Sequence, residues 1–509
     1  MPTSRDKVKA VSLTIAATAL VLFALVAGSD SMPAAETDSQ LASWVKDALS
    51  HDQRVDAGKL KVDAKDGLVF LAGHVPTMAA RRFAILEAEK IDGVVAVIDD
   101  MHVDAEQRDD VDITTDVLNR INSNASIETK DLKVRCLDGV VSLSGEVSDY
   151  SEELEAELMA SEVRGVVEVN NHLLTKFLGT QSDEQVALDV KASLARDVYL
   201  GSLPLVVKVT NREVTISGTV GSAFEKSRIT AEVHQMEQVK AVDNRVSVDP
   251  RLGSGTRSSE PWPSDNHCEE AVKADLTHDS RIDAAKIEIS AEYGMVTLEG
   301  SVKTYRERRQ AEIDARDVVG VVSVANNLRI IGPACDDGLL QTLIASEFKS
   351  DAMLHRFEIL VQSEAGRLIL RGHVDTAYEK THAADVAGHV RGVRDIRNDL
   401  EVTQEVALSD ETLDQVIRKR LTQNRLTKSC AKEMKIEVLN GVAVLSGWVD
   451  SFAERKAAEN VAFQTAGVWK VENRLVVEAY DYPWEDWQKD FESDFDPGYT
   501  PDYLFIFYV

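Results

Sequence analysis

One glycine recurs six times along the chain, in a frame that sets the length of a repeating unit. Leu or Ile lies two residues before each copy, and Val lies two residues after it. The six central glycines, spaced 72, 73, 82, 72 and 75 residues apart, are Gly73, Gly145, Gly218, Gly300, Gly372 and Gly447. Regular spacing of this kind is typical of tandem arrays of small domains, so the sequence predicts six modules of roughly 70 residues.

Two further positions keep the same frame. A second glycine follows twenty residues after the central glycine in five copies, and Gln238 replaces it in the third. Six residues later Asn stands in five copies, and Asp99 replaces it in the first. The second glycines are Gly93, Gly165, Gly320, Gly392 and Gly467, and the asparagines are Asn171, Asn244, Asn326, Asn398 and Asn473. We interpret all three positions as a structural motif rather than as a ligand site.

The second copy indicates how one module folds. Residues 110–121 and 152–163 carry apolar side chains at helical spacing. Residues 132–136, 141–147 and 167–173 alternate as strands, the first two joined by an Asp-Gly turn. The order helix, strand, strand, helix, strand predicts an α/β fold in which two helices cover a three-stranded mixed sheet.

This fold gives each repeated position an expected role. The central glycine shares strand parity with the flanking apolar residues, so we expect it to face the helices and let one of them approach the sheet closely. The second glycine should end a helix with positive φ. The Asn should point inward and bond the backbone of a loop or a helix end.

The segments 133–147 and 164–173 resemble a BON domain (bacterial OsmY and nodulation), and residues 435–475 of the sixth copy match as well. The resemblance extends over about residues 37–478. It implies a bacterial envelope protein of a kind linked to phospholipid binding, outer-membrane integrity and osmotic stress. The third copy departs most from the pattern, with Arg212 at the turn glycine and Gln238 at the second glycine.

The expected domain organisation follows from the period and from changes in composition. The predicted modules are 37–104, 110–176, 182–248, 265–332, 336–403 and 409–478. A Gly/Ser/Pro-rich linker at 249–264 should divide them into two blocks of three. The last segment, 479–509, is acidic and aromatic. It is either a disordered tail whose apolar tip packs on the sixth module or a segment that docks on a partner.

The N-terminal segment 1–36 predicts export. Arg5, Lys7 and Lys9 precede an uncharged run at 10–28, which is long enough to be a signal peptide or a retained inner-membrane anchor. Either reading places most of the chain outside the cytoplasm, in the periplasm of a bacterial cell envelope.

The net charge and the cysteines exclude several classes of function. A formal charge of −29 makes nucleic acid and bare anionic membranes poor partners. The four cysteines are far apart, so a zinc site is not expected. We expect Cys136 to be a buried thiol, and a bridge between Cys268 and Cys335 is an open alternative.

The sequence contains no recognisable catalytic or metal-binding constellation. His74 and His373 share the position after the central glycine and should face solvent. Neither His373, His382 and His389 nor the run 267–270 has the spacing of known metal ligands. We therefore expect no enzyme activity, no cofactor and no metal.

The sequence predicts a non-catalytic envelope protein that binds or scaffolds at the membrane or in the periplasm. Its expected partners are phospholipid or envelope proteins, contacted through several modules, and the tail could dock on a partner of its own. Two alternatives stay open: a soluble, chaperone-like periplasmic stress protein, and a structural spacer.

Overall fold

The computed structural model describes residues 37–127, 130–175, 181–201, 203–252, 263–332, 335–403, 408–449 and 452–477. Three segments with sequence predictions lie outside these residues: the N-terminal segment, most of the linker and the aromatic tail. The described chain forms six modules, each with the predicted order helix, strand, strand, helix, strand.

Modules 1 and 2 have five elements each. Module 1 contains α1 (Asp38–Ser50), β1 (Leu60–Lys65), β2 (Leu68–Val75), α2 (Met78–Glu89) and β3 (Ala96–Val103). Module 2 contains α3 (Asp110–Ser123), β4 (Lys130–Leu137), β5 (Val140–Val147), α4 (Tyr150–Ser161) and β6 (Glu168–Thr175).

Module 3 differs because its second and third strands are each divided in two. It contains α5 (Asp183–Arg196), β7 (Val206–Thr210), β8 (Glu213–Ser217), β9 (Thr219–Val220), α6 (Ala223–His234), β10 (Ala241–Asn244) and β11 (Ser247–Val248). Module 4 contains α7 (Asp265–His278), β12 (Ile287–Glu292), β13 (Met295–Val302), α8 (Tyr305–Asp317) and β14 (Ser323–Ile330).

Modules 5 and 6 return to five elements. Module 5 contains α9 (Asp337–Ser350), β15 (Leu360–Glu364), β16 (Arg367–Val374), α10 (Ala377–His389) and β17 (Asp395–Val402). Module 6 contains α11 (Asp410–Gln423), β18 (Lys435–Leu439), β19 (Val442–Val449), α12 (Phe452–Gln464) and β20 (Lys470–Val477).

Each sheet is mixed, as the sequence predicts. In module 1, β1 pairs with β2 in antiparallel fashion and β2 pairs with β3 in parallel. The helices cover one face with the apolar residues of the sequence pattern, as Ile113, Val117 and Ile121 do in module 2. The opposite face of each sheet, which we call the outer face, carries polar and exposed positions.

Modules 1, 2 and 3 contact one another in a ring. Met78 of module 1 packs on the core of module 2. The ring of Tyr150 in module 2 lies 4.7 Å from that of His234 in module 3. The amide of Ala223 in module 3 donates to the carbonyl of Val94 in module 1. The second helices of the three modules form this ring.

Modules 4, 5 and 6 form a second ring, also through their second helices. Tyr305 of module 4 packs on the core of module 5. Ala377 of module 5 shares an apolar cluster with Phe463 of module 6. Lys456 of module 6 pairs with Asp317 of module 4. The two rings coincide with the two blocks that the linker separates in the sequence.

Antiparallel bridges join the rings in three pairs of modules. Modules 1 and 6 meet at Asp52↔Thr465 and Ile91↔Asn424. The other two pairs use equivalent positions: Asn124↔Val390 and Val163↔Asp351 join modules 2 and 5, and Asp197↔Val318 and Met236↔Asp279 join modules 3 and 4. Two three-fold rings joined by reciprocal two-fold pairs have the contact pattern of D3 symmetry, here within one chain.

No helix within the described residues has the length and hydropathy required to cross a membrane. The run 10–28, on which the anchor hypothesis depends, falls outside them.

Candidate functional site

The central glycine is required by the backbone rather than by a helix. Gly447 has φ 117°, and a Cβ there would lie 2.7 Å from the carbonyl oxygen of Glu433, just before β18. Gly218 has φ 148°, and its Cβ would lie 2.9 Å from the carbonyl oxygen of Pro204. The expected close approach exists, but it joins the second strand to the start of the first. The expectation that this glycine faces a helix is therefore corrected.

The second glycine and the turn glycine lie against each other. Gly165 has φ 88°, and a Cβ on Gly139 would lie 2.7 Å from the carbonyl oxygen of Gly165. In module 3 both glycines are replaced, and Arg212 donates to the side-chain oxygen of Gln238 at 3.0 Å. The two departures of the third copy thus form one compensating pair.

The repeated Asn fastens the third strand to the second helix. Asn171 donates to the carbonyl of Glu153 at 3.0 Å and accepts from the amide of Leu173 at 3.1 Å. Equivalent bonds to helix carbonyls are made by Asn244, Asn326, Asn398 and Asn473. In module 1 a carboxylate cannot donate, and Arg81 instead donates to Asp99 at 2.6 Å.

A further repeated residue escaped the sequence analysis. The first residue of each first helix is Asp, and its carboxylate accepts from the backbone amides of the turn between the first two strands. These residues are Asp38, Asp110, Asp183, Asp265, Asp337 and Asp410. They keep nearly constant spacing to the central glycine, so the period already contained the signal.

Buried ion pairs fill the interface between modules 1 and 6. Arg54 contacts Asp52 at 2.6 Å and Glu87 at 3.4 Å, and Arg420 of module 6 donates to Glu87 at 2.6 Å. Burial alone would raise the pKa of Glu87, but Arg420, Lys90 and Arg54 lower it to about 2. Glu87 is therefore an anion that holds guanidinium groups from both blocks.

A second network joins modules 2 and 5. Arg120 donates to Glu162 at 3.0 Å and to Asp351 at 2.8 Å, and His382 lies 3.0 Å from Asp351. Burial would lower the pKa of His382, but Asp351 raises it to about 8. Burial would likewise raise the pKa of Asp351, but His382 and Arg120 hold it well below its ordinary value. At neutral pH the cluster is therefore an ion-pair network that joins the two blocks.

The third network joins modules 3, 4 and 6. Arg228 contacts Asp197 and Asp317 at 2.6 Å each, and Lys456 contacts Asp317 at 2.5 Å. Beside it lies a cavity of about 30 Å³, enough for one water molecule. Burial raises the pKa of Glu232 at this cavity to about 7, against the opposing effect of Arg228.

The metal and redox candidates of the sequence lie apart in the structure. His373 is exposed on an outer face, while His382 is buried in the interface network. His267 is exposed on α7, while Cys268 lies in the core of module 4. Cys335 borders the core of module 5, and both thiols are free, so the alternative of a Cys268–Cys335 bridge is wrong.

The thiol of Cys136 is half-buried and hydrogen-bonded rather than enclosed in the core. Cys136 donates to Asp110 at 3.1 Å, and burial together with this carboxylate raises the pKa of the thiol to about 12. The thiol is therefore protonated and has little nucleophilic character.

The outer faces differ between modules. Modules 2 and 5 expose leucines, Leu174 and Leu360, at 68% each. Aromatic side chains are exposed on the strands of modules 1 and 6: Phe70 is 38% exposed, beside Ile98 at 45%, and Trp448 is 46% exposed. Phe70 and Ile98 are register partners on β2 and β3. The residues of module 4 at these three positions are Thr297, Ala325 and Ser301.

Comparison with known sequences agrees with this architecture. The sequence profile of the BON domain matches residues 37–105, 109–176, 182–250, 264–332, 336–404 and 409–479. The chain belongs to the BON-domain family. Each of the six modules is thus a BON module, and the resemblance in the sequence is confirmed.

Three relatives are similar to part of this BON protein. Osmotically-inducible protein Y of Escherichia coli is 31% identical over 27% of this chain and 73% of its own length. The 21 kDa hemolysin of Actinobacillus pleuropneumoniae is 29% identical over 30% and 79%. Outer membrane lipoprotein DolP of Haemophilus influenzae is 26% identical over 29% and 78%.

Proposed function

We propose that this protein is a non-catalytic cell-envelope protein that acts in osmotic or envelope stress and binds phospholipid surfaces. Two relatives support the setting, one named for osmotic induction and one for the outer membrane. The contact surface in this proposal is formed by the outer faces of BON modules 1 and 6, which are partners across one two-fold interface.

The apolar side chains of these two faces carry the proposal. Phe70, Ile98 and Trp448 are large, exposed and located on rigid sheets, where they cost free energy in water. Aromatic side chains, Trp above all, favour the boundary between lipid and water. Because the net charge is −29, we expect binding to come from apolar contact rather than from attraction to anionic headgroups.

The closed arrangement does not favour the spacer alternative. Modules 1 and 6 are farthest apart in the sequence but are bridged in space, so additional modules do not extend the chain. The chaperone alternative uses the same exposed apolar side chains, with an unfolded client in place of lipid. Experiment distinguishes lipid binding from chaperone activity.

Vesicle flotation tests the proposal. The full chain, Phe70→Ser and Trp448→Ser are floated with phosphatidylcholine vesicles and with vesicles containing phosphatidylglycerol, at low and high salt. Leu188→Ser is the matched control, because Leu188 is 62% exposed on helix α5. We expect each outer-face variant to float several-fold less than the wild type, the control to float normally, and salt to have little effect.

Two results would contradict lipid binding. The first is failure of the wild-type chain to float with either vesicle. The second is an equal loss of flotation in Leu188→Ser. If the wild type instead suppresses aggregation of an unfolded client and Trp448→Ser does not, the chaperone alternative replaces the proposal.

A further inference from the structure

Two imidazoles stand side by side on the outer face of module 1. His74 on β2 and His102 on β3 are register partners on parallel strands. Their ring centres are 5.7 Å apart with 34° between the planes, and both side chains are exposed. Rigid strands fix the backbone of both residues, so little entropy is lost when the two rings act together.

A carboxylate orients one of these rings. The Nδ1 atom of His74 lies 2.8 Å from Oδ1 of Asp104, which follows the end of β3. With Nδ1 used as the donor to this carboxylate, Nε2 of His74 is the nitrogen left with a lone pair. Metal-binding histidines are typically held in this way, with the second ring nitrogen donating to a carboxylate.

We propose that His74 and His102 bind a divalent transition-metal ion such as Zn²⁺, Cu²⁺ or Ni²⁺, with Asp104 as the positioning residue. Imidazole is a preferred ligand of these ions. Metal–nitrogen bonds of about 2.0–2.1 Å in a tetrahedral site place two ligating rings roughly 5 Å apart between centres, close to the separation found here. Two protein ligands leave the remaining positions for water or for an exogenous donor.

The other modules provide an internal comparison. In module 5 the same two positions hold His373 and Glu401, 3.2 Å apart, so an ion pair replaces the second imidazole. In module 6 the register partners are Trp448 and Val476, which cannot ligate a metal. Among the described residues the paired imidazoles are specific to module 1, which makes His373 a matched control.

The buried cluster of Glu162, Asp351 and His382 is a weaker candidate. Its ligand atoms lie within 4.8 Å of one another. However, Arg120 already donates to both carboxylates and supplies the positive charge that a metal would bring. At the outer-face pair the neighbouring cation is Lys59, whose Nζ lies 3.7 Å from Oδ2 of Asp104, the positioning residue and not a proposed ligand.

Isothermal titration of the full chain, purified without a polyhistidine tag, tests the proposal with ZnCl₂ and separately with NiCl₂. We expect one ion per chain, and at least a tenfold loss of affinity in His74→Ala and in His102→Ala. Asp104→Asn should weaken binding by roughly tenfold or more, since outer-shell partners contribute at that level. His373→Ala should bind as the wild type does.

Electron paramagnetic resonance of the Cu²⁺ complex gives a second, independent measurement. The wild type should show coupling to two imidazole nitrogens, and His102→Ala to one. Wild-type affinity in the double variant His74→Ala/His102→Ala, or an equal loss in His373→Ala, would overturn the proposal. Because all four side chains are exposed, unchanged thermal unfolding of the variants is the expected check that the fold is intact.

Discussion

The interior of a BON module and the contacts between modules are built on opposite rules. Inside a module the same small set of residues recurs: the central glycine and the helix-initiating Asp in all six copies, and the second glycine and the Asn in five. Between modules one polar position recurs, the Asp or Asn of the antiparallel bridges, and most other contacts vary. Residues ten positions after the central glycine are buried in every module yet differ throughout: Phe83, Glu155, Arg228, Gln310, His382 and Ala457. Uniform residues define the module, and varied residues define which module pairs with which.

The variation is complementary across the rings. Residues six positions after the central glycine are also buried, and two of them contact the varied position of a module in the other ring. Tyr378 of module 5 packs edge-on against Phe83 of module 1 at 5.3 Å. The same two positions in modules 4 and 2 hold Arg306 and Glu155, paired at 2.5 Å. An aromatic contact and an ion pair thus occupy equivalent places, so exchanging modules would leave buried charges without partners.

Reversing one charge at an interface should give the largest effect. Arg306→Glu places a carboxylate against Glu155 in a buried contact, and we expect a loss of about 3–5 kcal/mol in the free energy of unfolding. Urea denaturation followed by circular dichroism measures it. The double variant Glu155→Arg/Arg306→Glu should recover part of the loss. A single-variant loss below roughly 1 kcal/mol, the level of an exposed pair, would remove the pairing argument.

A change inside the module should cost slightly less but should be the same in every copy. Gly447→Ala forces Ala to φ 117° and brings its Cβ against a carbonyl oxygen, so we expect a loss of about 3 kcal/mol. Gly338→Ala, on the exposed first turn of α9, is the control and should be neutral or slightly stabilising. Thermal unfolding that is unchanged in Gly447→Ala would show that the backbone contact is not required.

The ion-pair network between modules 2 and 5 should make the free energy of unfolding depend on pH. The pKa of His382 is about 8 in the fold, against about 6.5 for a free imidazole. Its charge therefore stabilises the fold fully below pH 6.5, and this contribution of about 2 kcal/mol is lost as the pH rises through 8. Burial raises the pKa of Glu232 to about 7, so its ionisation destabilises the fold over an overlapping range.

Comparing the wild type with His382→Gln isolates the histidine. The difference in unfolding free energy between the two should be largest near pH 6 and should shrink towards pH 9. A difference that stays constant with pH would mean that His382 is neutral in the fold.

The smallest effect is expected where module 3 departs from the repeat. Arg212 and Gln238 share one half-buried hydrogen bond between uncharged and charged partners, so their coupling free energy should be about 0.5–1 kcal/mol. A double-mutant cycle with Arg212→Gly, Gln238→Gly and both together measures it. If the two losses of unfolding free energy are purely additive, Arg212 and Gln238 do not stabilise each other.

The module could be predicted from sequence because its determinants are local and repeated. Residues 110–121 form the predicted helix, and the Asp-Gly turn joins two strands as expected. The aspartates that accept from these turns have the same period, so they too were predictable from the sequence. His102 had no such signal, because its proximity to His74 depends on strand register rather than on spacing.

The interfaces could not be predicted in the same way. Arg120 and Asp351 are 231 residues apart. Asp351 occupies a position that is Asp or Asn in every module, but the repeat does not show which residue of another module it contacts. A charged residue on a helix is ordinarily solvated, and only the contacts between rings make these charges buried. The sequence does carry one signal of these interfaces. The position ten residues after the central glycine has the helical spacing of a buried residue, yet its residue type differs in every module.

The three pairs of modules are nested along the sequence: module 3 pairs with 4, module 2 with 5, and module 1 with 6. Their ionic contacts span 89, 231 and 333 residues, from the innermost pair to the outermost. During synthesis modules 3 and 4 are the first pair to be complete. The pairs 2 with 5 and 1 with 6 can then form in turn, and no segment has to pass through another. Glu87 is synthesised 333 residues before its partner Arg420. Until Arg420 arrives, Glu87 has only Arg54 and Lys90 of its own module as cationic partners, so the outermost pairing completes this buried network.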